Sequence, residues 1–200
     1  MANRAIRNRL LAVIAGACAA LAVATPFAAA DEAGGANNVI LVTTTADGSS
    51  LARSGVQVSQ TAAPTIASAN IAAATSRACT GCTSVAVAFQ AVLVTGNPST
   101  VAPGNAAVAT NDGCSSCTSY AFAYQYVLSV RGPAYLDPSA QQQLAAMRAQ
   151  IADLAASGLP PDELTARLDA IAAQFRATIA GALHPVDGAA SVRIDVTAAP

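Results

Sequence analysis

The sequence predicts an α+β protein: a small sheet built from a hairpin and two α-CxxC-β units, followed by an antiparallel helical hairpin. Three observations lead to this class. A segment recurs at an offset of 35 residues, and each copy ends in the alternation of large and small residues that is typical of a strand. The last third of the chain carries two apolar stripes at helical spacing. The predicted element order before the hairpin of helices is β-β-α-β-α-β.

Composition limits both the core and the range of functions. Of the 200 residues, 54% are hydrophobic and only 10% are charged, and 52 are alanine. The larger apolar residues therefore suffice for one modest core. The positive mean hydropathy of +0.45 excludes a chain kept disordered by charge. All ten basic residues are arginines scattered along a chain with a pI near 5.6, which argues against nucleic-acid binding.

Residues 1–30 have the three-part pattern of a secretory signal peptide. The basic start contains Arg4, Arg7 and Arg9. It is followed by an apolar run from Leu10 to Val23 and by a small-residue cleavage site at Ala28 to Ala30. We expect cleavage near Ala30 and an exported mature chain with no transmembrane segment. An uncleaved anchor is the alternative. Lipidation at Cys18 is disfavoured because the usual preceding leucine is absent.

An internal repeat organises a predicted domain at 37–131, with units at about 66–94 and 101–129. The matches include residues that an alanine-rich composition does not produce by chance, namely Cys79 with Cys114, Cys82 with Cys117, Asn70 with Asn105, and Gln90 with Gln125. We interpret the repeat as a duplication. The matched Asn and Gln residues are expected to form structural hydrogen bonds.

Each unit is predicted to contain a helix and a strand. Residues 65–76 and 101–111 are alanine-rich with little β-branching, and Pro103 suits a helix start, so both segments are predicted as short helices. The alternation over 83–94 and 118–130 predicts strands, which a crossover would make parallel neighbours or near-neighbours. We expect the small face of each strand to pack against a helix.

The remaining elements flank the repeat. Strands are predicted from Val39 to Thr45 and from Val56 to Ser59, joined as a hairpin by the turn Asp47-Gly48-Ser49. A helical hairpin is predicted at 139–185, and an edge strand with a tail at 190–200. The apolar stripes of the hairpin either cover the sheet or form a self-association surface.

Three chemistries compete for the cysteines. An exported chain with an even number of cysteines favours disulfides, and the copying of each CxxC as a whole favours Cys79–Cys82 and Cys114–Cys117, although four cysteines allow three connectivities. A four-thiolate zinc site at the same residues is the second alternative. A thiol–disulfide oxidoreductase is the third, and it is disfavoured because the predicted helix ends, rather than begins, before each CxxC.

No other motif indicates catalysis. His184 is the only histidine, the eleven acidic residues are scattered, and neither HExxH nor G-x-S-x-G is present. We therefore predict no catalytic residue and no required cofactor, with zinc as the alternative.

The repeated pattern of Asn, CxxC, small-x-small-x-Gln resembles an exported tandem-CxxC region of actinobacterial secreted proteins, some of which are named peptide zinc metalloproteases. The resemblance covers roughly 37–185 and implies an extracytoplasmic appendage. It implies no peptidase activity here, because this chain lacks the peptidase motif. We expect an exported, non-enzymatic, cysteine-stabilised binding or structural module of the cell envelope, whose partner is an unidentified envelope protein or a second copy. The alternatives are an extracytoplasmic thiol–disulfide oxidoreductase and a four-Cys zinc-binding protein.

Overall fold

A computed structural model describes residues 37–130, 132–186 and 195–197. The elements in chain order are β1 (Asn38–Thr44), β2 (Ser50–Thr61), β3 (Thr65–Ile66), β4 (Ala69–Arg77), β5 (Thr83–Thr95), β6 (Thr100–Val101), β7 (Gly104–Asp112), β8 (Thr118–Val130), β9 (Ala134–Leu136), α1 (Pro138–Ala155), α2 (Pro161–Gly181), β10 (Leu183–Pro185) and β11 (Asp195–Thr197).

The first eight strands form three stacked coils. In each coil the chain crosses a first sheet, turns, and returns along a second sheet. The first sheet, called sheet A, has the order β1-β4-β7, and the second, called sheet B, contains β2, β5 and β8 with all of these pairs parallel. Between the second and third coils every residue pairs with the one 35 positions later, as Asn70 does with Asn105. This architecture is a short parallel β-solenoid.

Sheets A and B face each other across a thin layer of small residues. The buried residues of this layer are Val42, Ala72, Ala74, Ala86 and Ala88. The opposite face of sheet B carries the large side chains, which pack with the helices into the main core around Phe89, Tyr126, Leu168 and Phe175. The described part of the chain therefore has three layers: sheet A, sheet B and the helical hairpin. The α+β class is confirmed.

The two predicted helices at 65–76 and 101–111 are wrong, because β4 and β7 occupy most of these segments. Alanine favours a helix only weakly, by under about 1 kcal/mol per residue relative to most other residues. The stacked coils instead give Ala72 and Ala74 a close inter-sheet contact, and they pair β4 with β7 through ladder hydrogen bonds. The small faces of β5 and β8 accordingly lie toward sheet A rather than against repeat helices. The predicted parallel pairing of β5 with β8 is confirmed.

The predicted hairpin between β1 and β2 is also wrong, since β1 pairs with β4 and β2 pairs with β5. The turn Asp47-Gly48-Ser49 is instead the corner at which the first coil passes from sheet A to sheet B. Its hydrogen bonds are made to the second coil: the Gly48 amide donates to the Thr80 carbonyl at 2.8 Å, and Asp47 Oδ1 accepts from the Thr80 amide at 2.7 Å. The turn sequence therefore predicts where the chain turns, but not which strands pair with each other.

The helical hairpin is confirmed. Asp137 is the N-cap of α1 and accepts a hydrogen bond from the Ala140 amide. Helix α2 starts at Pro161, with two acidic residues in its first turn. The buried stripes of both helices contact the large face of sheet B, and Phe175 meets Phe89 edge-on with ring centroids 5.8 Å apart. The stripes thus cover the sheet. Beyond them, β11 pairs antiparallel with β8 at the edge of sheet B.

Among the described residues, no helix combines the length and the hydropathy needed to cross a bilayer. The predicted signal peptide at 1–30 and most of the predicted tail lie outside the described residues.

Candidate functional site: the cysteine corner

The two CxxC segments lie at one corner of the solenoid, directly above one another. Each links a strand of sheet A to the following strand of sheet B, and Thr80 and Ser115 form a parallel bridge between them. The tight turns need left-handed backbone at matched positions, with φ of 67° at Gly81 and 56° at Ser116. Parallel stacking thus superposes the two cysteine pairs, because their separation equals the pairing register.

All four sulfur atoms lie within 4.8 Å of one another. Within each CxxC the two sulfurs are at disulfide distance, and the Cα atoms are 6.3 Å apart in the first pair and 6.0 Å in the second. Between the coils, Cys79 Sγ is 3.6 Å from Cys114 Sγ and 3.9 Å from Cys117 Sγ. The corner can hold two disulfides, and its four sulfurs are also close enough to surround one metal ion.

Burial differs between the two pairs because of their place in the stack. Cys79 is 5% exposed and Cys82 is fully buried, since the first and third coils cover them on both sides. Cys114 and Cys117 belong to the last coil and are half-buried. A solution reagent therefore reaches the second pair more readily than the first.

Backbone carbonyl groups surround the sulfurs. Cys82 Sγ is 3.1 Å from the Ala46 carbonyl oxygen, and Cys117 Sγ is 3.4 Å from that of Cys79. A carbonyl oxygen carries partial negative charge, so it repels a thiolate but accepts from a neutral thiol and tolerates a disulfide. The local electrostatics therefore suit uncharged sulfur.

The groups that activate redox cysteines are differently arranged here. The segment before each CxxC is a strand and not the predicted helix, so the sulfurs do not lie at a helix C-terminus. Arg77, a conceivable activating cation, forms a 3.0 Å ion pair with Asp112 instead. Both side chains of this pair are largely exposed, so its contribution to stability is small.

The repeated asparagines form a ladder between the two sheets. Asn70 is fully buried; its Nδ2 donates to Asn105 Oδ1 at 2.8 Å and to the Ala88 carbonyl at 3.2 Å. Asn38 Nδ2 in turn donates to Asn70 Oδ1 at 2.9 Å. The ladder joins all three coils and ties sheet A to the backbone of sheet B.

The repeated glutamines form a second ladder within sheet B. Gln125 Nε2 donates to Gln90 Oε1 at 2.7 Å, and Gln90 Nε2 donates to Gln57 Oε1 at 3.3 Å. Both Gln90 and Gln125 are buried, so these bonds satisfy groups that water does not reach. The structure therefore places the predicted polar residues in two inter-coil ladders, away from the sulfurs.

Sequence reasoning missed the first coil of this arrangement. Asn38 and Gln57 continue the two ladders, at offsets of 32 and 33 from the second coil instead of 35. The sequence signal for it is the identity of Asn38 with Asn70 and of Gly48 with Gly81, and in the structure both glycines have positive φ. The first coil lacks cysteines, and this hid it from a search centred on CxxC.

The single histidine lies far along the chain from the corner, in β10. His184 Nε2 is 3.4 Å from Asp137 Oδ2 at the start of α1 and packs beside Tyr135. The Ala140 amide and, next, the Ser139 hydroxyl donate to Asp137 and hold the pKa of its carboxyl below the usual 3.8. These contacts are those of a helix start.

The chain was compared with family models, with curated proteins and with solved structures, and none of the three gives a match.

Proposed function

We propose that the protein is an exported, non-enzymatic module of the cell envelope whose cysteines stabilise a rigid binding or structural scaffold. The observation that carries the proposal is the environment of the four sulfurs. They are stacked at one corner, half-buried or buried, and faced by carbonyl oxygens. That environment supports disulfides, which fix the turns between the sheets without needing a charged thiolate.

The export signal supports the same proposal from the sequence. A disulfide persists in an oxidising compartment, to which a segment such as 1–30 directs a chain. The partner that the scaffold binds or organises is an envelope component of unidentified chemistry. Oxidoreductase activity finds little support, because Cys79 and Cys82 are buried and Arg77, two residues before Cys79, pairs with Asp112.

A four-thiolate zinc site is the second candidate, and the mutual distance of the four sulfurs favours it. The residues are the same Cys79, Cys82, Cys114 and Cys117. Where the four cysteines bind zinc before they are oxidised, four thiolates would surround one tetrahedral ion, and its positive charge would offset the repulsion by the carbonyl oxygens.

One experiment separates the two. Protein exported from a bacterial host is alkylated in denaturant, and its free thiols and bound zinc are counted by mass spectrometry and elemental analysis. Cleavage after arginine releases 78–131 with all four cysteines, and further cleavage before Asp112 divides the two CxxC segments.

The proposal expects two unlinked peptides, each lighter by two hydrogens than its reduced form. A linked pair of peptides would show inter-coil disulfides and would overturn the favoured connectivity. Four alkylated thiols together with one zinc per chain would show that the cysteines form the metal site and not disulfides. Four free thiols without metal would contradict both the disulfides and the zinc site.

A further inference from the structure

The outer edge of β7 is open at the end of the solenoid. Among the described residues, β7 is hydrogen-bonded to β4 on one side only. The Gly104 amide and the Asp112 carbonyl bond toward the second coil. Because successive residues of a strand bond to opposite sides, the backbone groups of Asn105, Ala107, Ala109 and Asn111 face outward from this edge.

Side chains at this end do little to block another strand. Ala107 and Ala109 occupy inward positions and are exposed, whereas their ladder neighbours Ala72 and Ala74 are fully buried. The opposite end of the solenoid differs. There, an exposed arginine, Arg53, stands at the inward position that pairs with Ala86. A charge at such a position protects a sheet edge against pairing, and β7 has none in its interior.

The sequence of β7 is nearly the same in both directions about Val108. From residue 105 to residue 111 it reads N-A-A-V-A-T-N. Two antiparallel copies centred on Val108 would therefore place small residues opposite small ones and Asn105 opposite Asn111. The only charged residue of the strand, Asp112, would lie opposite Gly104 and not opposite a second acid.

The outward backbone groups also fit this arrangement. In an antiparallel pair, the residues that exchange two hydrogen bonds lie directly opposite each other. Centring on Val108 pairs Ala107 with Ala109 and Asn105 with Asn111, and these are the four residues whose amides and carbonyls face outward. The register that matches the side chains is thus compatible with the backbone hydrogen bonds.

We propose that two copies of this chain associate through antiparallel pairing of their β7 strands. The symmetry is two-fold and closed, so the contact gives a dimer and not a fibre. The neighbouring strand already accepts an antiparallel strand at the same end, since β11 pairs with the last residues of β8. β11 covers only Val127–Ser129 of β8, and the proposed pairing is made by sheet A.

The hairpin is a weaker candidate for self-association. Its apolar stripes already pack against sheet B, where Leu168, Phe175 and Ile179 are fully buried. We therefore assign self-association to the outer edge of β7 and not to the helices. It is independent of export and of the state of the cysteines.

The test uses the full chain and measures molar mass by light scattering over a range of concentrations. Val108→Lys places two positive charges opposite each other at the two-fold axis and is expected to halve the mass. Leu41→Lys is the matched control, because Leu41 lies on the same outward row of sheet A, with 59% exposure against 51% for Val108, but on the far strand β1. The control is expected to keep the dimer mass.

A second variant addresses the backbone directly. Ala109→Pro removes an outward amide and leaves the hydrogen bonds to β4 in place, so it is expected to give a monomer with an unchanged circular dichroism spectrum. A wild-type chain that is monomeric at all concentrations overturns the proposal. A dimer that persists in the Val108→Lys variant also overturns the proposal. Equal dissociation by Leu41→Lys overturns it as well, since that result would assign the contact to the outer face of sheet A.

Discussion

At the scale of single residues, buried amides decide how the coils are held together. Asn70 is the central member of the asparagine ladder, and its side chain bonds to the coil on either side as well as to the Ala88 carbonyl. An amide suits this position because it both donates and accepts, so the same residue type can be stacked repeatedly. Gln90 plays the corresponding part in sheet B.

Replacing Asn70 by alanine should therefore destabilise the fold strongly. The change leaves buried or half-buried polar groups of Asn38, Asn105 and Ala88 without this partner, and we expect the free energy of unfolding in urea to fall by about 2–3 kcal/mol. Thr75→Ala is the control, because Thr75 lies on the outer face of the same strand and is only half-buried. Its effect should stay within about 0.5 kcal/mol. Equal losses in the two variants would contradict the role given to the ladder.

At the scale of elements, local propensity and the final structure disagree in β4 and β7. Both segments read as short alanine-rich helices, and both are strands. Elements in which propensity and pattern agree were predicted correctly, as in β5, β8, α1 and α2. The difference lies in the strength of the pattern. β5 alternates large with small residues from Ser84 to Phe89, whereas the alanines of β4 fit either a helix or a strand.

The contact between the hairpin and sheet B depends on Phe175. Its ring is fully buried and meets Phe89 at 5.8 Å and Tyr124 at 6.3 Å. We expect Phe175→Ala to lower the free energy of unfolding by about 3–5 kcal/mol, because it leaves a cavity between two layers. Gln174→Ala, on the exposed side of the same helix, should change it by less than about 0.5 kcal/mol. Similar unfolding midpoints in the two variants would show that the helix does not depend on this contact.

At the scale of the whole molecule, the three layers have different roles. The layer between the sheets is thin and consists mainly of alanine, so it brings the backbones close and leaves little area to bury. The larger side chains face the helices, and most of the apolar burial in the described residues occurs there. The hairpin is therefore part of the core and not an appendage.

Deleting residues 139–185 should consequently expose the large face of sheet B, including Val87, Phe89 and Leu128, which are buried in the intact protein. We expect this variant to aggregate, with an increase in light scattering and in binding of a hydrophobic dye. Removal of only 198–200 serves as the control and should leave both signals unchanged. A clear, monodisperse solution of the deletion variant would show that the two sheets suffice as a core.

The sequence by itself determined the α+β class and the helical hairpin, because each rests on a long periodic pattern. It also predicted the parallel pairing of β5 with β8, but from a helical crossover that is a strand, β7, in the structure. It also contained the offset of 35 that serves as the register of the last two coils. Only the tertiary structure decided that the alanine-rich segments are strands and that all four sulfurs meet within 4.8 Å. The physical reason is the same for both. Parallel stacking brings residues 35 positions apart to about 5 Å, and the resulting hydrogen bonds and close packing outweigh the weak helical preference of alanine.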